Sequence, residues 1–236
     1  MLRKIKLVAL GLSLSVGCFA GEMGAIAAEG FYLQGMVDYN WFHYNHADTA
    51  SFFGPQNIRA IGASIDSQWG YGLGMGYRFN DYLRTGFTVQ ARYNVKFSVT
   101  DDAPETAKGH FDNYTFMLNA YLSHPDFSAM NFTPYLMGGV GAARNRNTNI
   151  YWPLAVQTEF ADKSTHFSWQ AGVGALYALS DCWLIDINYT FVSLGEVSNS
   201  GQYDTIAANN VPAFGAPTRF SQVYSNQVEL GVHYRF

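Results

Sequence analysis

The chain has 236 residues, 48% of them hydrophobic and 17% aromatic, with only 14% charged and a formal net charge of −4. That length suits one domain, the acidic balance excludes a nucleic-acid partner, and two cysteines exclude a disulfide-built scaffold. Past the leader no stretch is long and apolar enough for a membrane-spanning helix, so the apolar residues must be accommodated in another way.

The first 27 residues read as a secretory signal peptide. Arg3, Lys4 and Lys6 form a basic start, Leu7 to Val16 an apolar run, and Ala25-Ile26-Ala27 a small-residue cleavage site. Cutting there removes those three basic residues and Glu22, leaving 11 basic and 17 acidic residues, a net charge of −6. Residues 28–236 are expected to form the single exported domain.

Beyond the leader the signal is alternation. Phe31 to Trp41 sets Phe31, Leu33, Gly35, Val37, Tyr39 and Trp41 against Tyr32, Gln34, Met36, Asp38 and Asn40, a strand with one apolar face. A polar loop is predicted from His43 to Asp66. The second strand places Trp69, Tyr71, Leu73, Met75, Tyr77 and Phe79 opposite four alternate glycines, and Asn80-Asp81 turns the chain. The third runs from Leu83 to Val99 in one phase, with Tyr93, Val95, Phe97 and Val99 on the apolar face and Arg84, Arg92 and Lys96 opposite.

Strand four covers Phe111 to Ser123 and strand five Pro134 to Asn145, whose glycine-rich Pro134 to Gly141 run leaves its faces undecided. After a loop from Asn147 to Thr165, strand six sets Phe167, Trp169, Ala171, Val173, Ala175 and Tyr177 on one face. Strand seven does the same with Trp183, Ile185, Ile187, Tyr189 and Phe191. A last long loop spans Gly195 to Thr218. The eighth strand reads Val228, Leu230, Val232, Tyr234 and Phe236 against Glu229, Gly231, His233 and Arg235, and ends the chain on an aromatic.

Some forty bulky residues on the apolar faces cannot fit inside an eight-stranded barrel, whose interior is only just filled by side chains. The apolar faces must therefore point outward to lipid, and the sheet must close on itself to pair its backbone. The fold expected is all-β, an eight-stranded antiparallel up-and-down transmembrane barrel. Phe79, Tyr177, Trp183, Tyr234 and Phe236 would form one aromatic girdle and Trp41, Trp69, Phe97 and Trp169 the other. The terminal strand resembles the C-terminal signature of Gram-negative outer-membrane barrels, and the whole exported region resembles the OmpA-like, OmpX-like and opacity-protein-like families.

That resemblance implies location in the outer membrane after Sec export, and recognition of Val232, Tyr234 and Phe236 by the barrel-assembly machinery. It further implies contact with outer-membrane lipids and lipopolysaccharide, long loops outside the cell, and a role in envelope integrity or in adhesion to a host or surface ligand. No domain that would tether it to peptidoglycan is expected after the barrel. Counted by depth, Asp38, Arg92 and Glu229 should meet inside the barrel as a salt-bridged plug, since unpaired buried charge is expensive; a small-solute channel is the alternative.

Outer-membrane lipid A deacylases carry a His-x-Ser pair similar to His166-Phe167-Ser168, but Trp169 replaces the Asn that follows in them, and the chain is read as no enzyme. His43, His46 and Asp48 lack a fourth ligand and read as solvated loop residues rather than a metal site. No cofactor is expected. Phe52, Phe53, Tyr151, Trp152, Pro153 and Phe214 are the loop aromatics and proline that could anchor a partner.

Overall fold

Alternation with period two makes strands, and a computed structural model shows eight long ones. It describes residues 29–49, 58–101, 105–128, 131–153, 157–205 and 213–236; the leader and the pair Phe52 and Phe53 lie outside the described residues. The strands are β1 (Gly30–Thr49), β2 (Gln68–Arg78), β3 (Leu83–Thr100), β4 (Thr106–Ser123), β5 (Phe132–Asn147), β6 (Lys163–Ala178), β7 (Trp183–Ser198) and β8 (Arg219–Arg235). Each pairs antiparallel with its neighbours in sequence, and β8 returns to β1 through sixteen matched residues from Tyr32↔Arg235 to Asp48↔Arg219.

The ring is staggered as it closes. Following hydrogen-bonded partners from Leu33 through Met75, Phe87, Leu118, Val140, Trp169, Ser193 and Tyr224 returns to β1 at His43, ten residues beyond the start. Such a stagger tilts the strands by roughly 40°. Each residue then climbs about 2.5 Å along the barrel axis.

The apolar faces point out. Leu33, Trp69, Tyr71, Leu73, Met75, Leu118, Leu136, Val140, Val173, Ile187 and Leu230 are exposed on the wall, while Gln34, Asp38, Arg92, Asn119, Gln170 and Glu229 are buried inside it. The faces of β5, undecided from sequence, settle with Leu136 and Val140 outward and Tyr135 inward. Alternate glycines make the interior passable. A Cβ on Gly70 would stand 2.4 Å from the Asp38 carboxylate, and one on Gly139 would stand 2.1 Å from Asn119 Oδ1, so glycine there admits the neighbour's polar side chain. Short turns at 79–82, 124–131 and 179–182 share one end with Gly30 and Phe236; the longer connections share the other.

At that other end the strands run farther than the alternation predicts. β1 continues seven residues past Phe42 to Thr49, β3 reaches Thr100, β7 runs to Ser198 and β8 starts at Arg219. Much of what reads as polar loop from 43 to 66 and from 147 to 165 is therefore wall. Short ladders extend it: Gly62–Ile65 pairs β3, Ile150–Trp152 pairs Gln157–Glu159, and Gln157–Glu159 pairs Gln202–Thr205. The result is a β crown above the barrel.

Bulges explain why a single phase fails for β3. Register slips between Arg92 and Val95, where Asn94 takes a left-handed φ of 56° and its N–H donates to Asp112 Oδ1 at 2.9 Å. Beyond the slip the faces exchange. Val95, Phe97 and Val99 point inward and Lys96 outward, so Phe97 is not part of the outer girdle. β7 and β8 slip at the same level, at Gly195 with φ 73° and beside Gln222 with φ 47°.

The exchange builds a second core. Phe42, Val95, Phe97, Phe111, Ile150, Trp152, Val192, Leu194, Tyr203 and Phe220 pack together in the crown, with Phe97 edge-on to Phe220 at 5.2 Å. Trp152, expected as an exposed loop aromatic, is fully buried, whereas Tyr151 beside it is 49% exposed. The side chain of Phe214 lies outside the described residues.

Because Leu73 faces outward near mid-wall, Leu73→Arg should lower folding stability in lipid vesicles by roughly 2 to 4 kcal/mol, read by tryptophan fluorescence in a urea titration. A change below about 0.5 kcal/mol, the usual size for a water-exposed site, would place Leu73 away from lipid.

Candidate functional site

Three layers fill the barrel from its turn end up through its crown. The middle layer is centred on Arg92, which β3 carries inward just before its bulge and which is wholly buried. Its Nε donates to Asn40 Oδ1 at 2.7 Å and lies 3.4 Å from Asp38 Oδ1. Its Nη1 donates to Asn113 at 2.9 Å, and its Nη2 donates to Gln90 Oε1 at 3.0 Å and Gln227 Oε1 at 2.6 Å. Asn40 also donates to Asp38.

Glu229 departs from the expected plug. It makes no direct ion pair with Arg92; its Oε2 accepts from Gln90 Nε2 at 2.8 Å and its Oε1 from Asn188 Nδ2 at 2.9 Å. Gln90 thus stands between the two charges, donating to the carboxylate and accepting from the guanidinium. The depth count placed Asp38, Arg92 and Glu229 in one layer, but it could not show the amide interposed by β3's own alternation, two residues before Arg92.

The layer near the turn end was not read from the sequence as a site. Arg84 lies 3.5 Å from Asp186 Oδ2, and His233 Nε2 lies 3.0 Å from the same oxygen. Tyr135 donates its hydroxyl to Asp186 Oδ1. The guanidinium sits 4.0 Å from the Tyr121 ring centre and 4.5 Å from that of Tyr135, and Tyr32 stacks on His233 at 5.4 Å. The buried cation is thereby held by a carboxylate and by aromatic faces, with its Nε making no hydrogen bond. Alternation marked Arg84 and Asp186 as inward; only the tilt brings strands 102 residues apart to one depth. Between these layers lies a gap of about 10 Å³ lined by Gln34, Gln90, Asn119 and Tyr121 among others, room for at most one water.

The third layer is the crown core, and it contains Glu159. This carboxylate is fully buried, and accepts from the Thr218 N–H at 2.8 Å and the Thr218 hydroxyl at 2.5 Å. Burial raises its pKa to about 7, against the opposing hydrogen bonds from Thr218, Trp152 and Gly201.

The remaining candidate residues are placed as follows. Ser168 is buried and donates its hydroxyl to the Ser193 carbonyl at 2.5 Å, while the Cβ of His166 packs over Gly195. His46 lies 3.8 Å from Asp48, which is held by Arg219 at 2.9 Å; among the described residues no group of three or more side chains is placed to hold a metal ion. Val232 and Phe236 are exposed on the outer wall at the turn end, and Tyr234 packs between Trp183 and Phe236 at 4.9 and 5.1 Å. The Phe236 N–H donates to the Phe31 carbonyl at 3.2 Å.

A closed ring of eight strands with a lipid-facing apolar wall and a packed polar interior defines an integral outer-membrane β-barrel. The chain belongs to the outer membrane protein beta-barrel domain family, whose model matches residues 7–236. It is similar to the outer membrane protein PagN of Salmonella typhimurium, at 29% identity over 181 residues covering 71% of this chain and 73% of that one. It is also similar to outer membrane protein A of Serratia marcescens, at 28% identity over 224 residues covering 92% of this chain and 57% of that protein. Among solved structures, OprG of Pseudomonas aeruginosa superposes with a TM-score of 0.56 at 18% identity, over 90% of this chain and 98% of that one. The protein accordingly resides in the outer membrane of a Gram-negative cell, with its short turns toward the periplasm and its crown outside.

Replacing Arg92 by Leu leaves Asp38 buried without its cation and should cost roughly 3 to 5 kcal/mol. Adding Asp38→Asn should recover part of that loss, and equal stability of the single and double variants in urea titrations would show that the two do not interact. For Glu159 the folded pKa lies above the unfolded one, so its contribution to crown stability is complete below about pH 4.5 and is lost as pH rises through about 7. Amide exchange in β7 and β8 near the crown should therefore be slower at pH 5 than at pH 8 after correction for intrinsic rates, and Glu159→Gln should abolish the difference.

Proposed function

We propose that the protein is a non-conducting surface barrel that presents its crown for attachment to a host or other surface ligand. The observation that carries this reading is the crown itself, a walled β structure with its own apolar core standing outside the membrane. The filled interior supports it, because the side chains of the Arg92 and Arg84 layers and of the crown core are buried across the barrel and the gap between the first two layers is only about 10 Å³. In this reading Asp38, Arg92 and Glu229, linked through Gln90, form a structural plug that holds the crown at a fixed height above the membrane. Ile61, Tyr151 and Phe160 stand exposed on the crown at 65%, 49% and 36%, and exposed apolar groups on a rigid support are suited to partner contact. Attachment would then depend on those side chains and not on solute flow.

Cells carrying the protein should attach to cultured epithelial surfaces more strongly than cells lacking it, and Ile61→Ser/Tyr151→Ser/Phe160→Ser should reduce the gain severalfold while heat-modifiable gel mobility stays that of a folded barrel. Equal attachment with and without the protein, or stepwise conductance in planar bilayers, would defeat the reading.

A further inference from the structure

Seven of the 11 basic residues of the exported chain lie in its outer half, and five of them stand on one side. Lys96, Lys108, Arg144, Arg146 and Lys163 all face outward on β3 to β6. In the register Lys96 is opposite His110, Ser98 is opposite Lys108, Arg144 lies between Tyr114 and Thr165, and Arg146 lies between Asp112 and Lys163. Four adjacent strands at about 4.8 Å spacing make this a surface roughly 15 Å wide. None of the five cations has a carboxylate within 4.0 Å among the described residues. Three carboxylates lie nearby: Asp112, half-buried and accepting from Asn94; Asp162, which accepts from the Lys163 N–H; and Asp66, which lines a groove of about 520 Å³ with Lys96, Lys108 and His110, so the cations outnumber them on this face. In a chain of net negative charge, so many unpaired cations on one face call for an external anion.

Height decides which anion. Trp69, Tyr93, Tyr114, Phe167 and Trp169 form the outer aromatic girdle on this side, the level at which hydrocarbon gives way to headgroups. Arg144 is the register partner of Tyr114, and Arg146, Lys96, His110, Lys163 and Lys108 rise above it by one to a few residues, about 2.5 Å each. We propose that this basic face binds the phosphates of a multiply phosphorylated glycolipid in the outer leaflet, the lipid A class. Guanidinium groups at Arg144 and Arg146 offer paired donors to phosphate oxygens, and the lysines add charge across the width of more than one phosphate. The acyl chains of such a lipid would lie on Phe116, Leu118 and Val140 directly below, all exposed on the same strands.

The test uses the exported chain folded in detergent and mixed with lipid A or with lipid A whose phosphates have been removed, bound glycolipid being counted by native mass spectrometry. The folded protein should retain the phosphorylated form preferentially, and Arg144→Gln/Arg146→Gln/Lys163→Gln should weaken that retention on the order of tenfold or more without changing retention of the dephosphorylated form. Arg59→Gln, a charge change away from this face, should have no effect. All these positions are exposed, so gel mobility reports whether each variant folds; retention by the unaltered protein should also fall steeply as salt is raised. Equal retention of the two lipid forms overturns the proposal. So does displacement by inorganic phosphate at matched phosphate concentration, or binding of a soluble sulfated polysaccharide to this face with no glycolipid retained.

Discussion

Backbone pairing in hydrocarbon is the constraint on which everything else rests. An open N–H or C=O in lipid costs several kcal/mol, so a sheet built from half-apolar strands is stable there only when its first and last strands meet. The sixteen matched residues between β1 and β8 provide that closure. Closure fixes the stagger of ten residues, stagger fixes the tilt, and tilt decides which inward side chains share a depth. Arg84 meets Asp186 and His233 for that reason, although nothing in local sequence joins them.

The wall crosses two solvents and changes its pattern where they change. Within the membrane the outside is apolar and the inside carries polar groups that pair with one another through Arg92 and Arg84. Above it the outside must be polar and the inside apolar, as in a water-soluble β structure. Bulges at Asn94, Gly195 and Gln222 make the exchange on three strands, and on β1 the sequence changes character unaided as Asn40 gives way inside to Phe42. A one-residue slip is enough, since it moves every later side chain to the other face. The same device that turns Phe97 inward turns Lys96 outward, so the crown core and the basic face are two results of one bulge.

Charge is distributed by the same division. Inside the barrel Asp38, Arg92, Arg84, Asp186 and Glu229 each have a protein partner within 3.5 Å, since an unpaired buried charge is costly. Outside, at headgroup height, cations stand without protein partners on β3 to β6, where phosphate is the abundant counter-ion. Between these zones the lipid face of the wall carries none. The protein therefore presents two external surfaces, one at the membrane boundary and one above it, on a body whose interior is packed with side chains.

Alternation by itself determined the class of fold, the number of strands, the outward facing of Leu73, Val140 or Leu230, and the glycine-lined path inside β2, because period-two geometry is local and a lipid-exposed face tolerates few exceptions. It also marked Asp38, Arg92 and Glu229 as inward and of similar depth. The tertiary structure decided the rest. Only the closed, tilted ring put Gln90 between Arg92 and Glu229 and assembled the Arg84 layer, since depth in a barrel is set by pairings around the whole circumference. Only long-range pairing made wall of the segments near His43 and Trp152, whose mixed polar composition lacks a strand's periodicity. The face of Phe97 and Lys96 likewise turned on one bulge at Asn94, a left-handed residue whose cost is met by a hydrogen bond to Asp112 on the next strand, eighteen residues away.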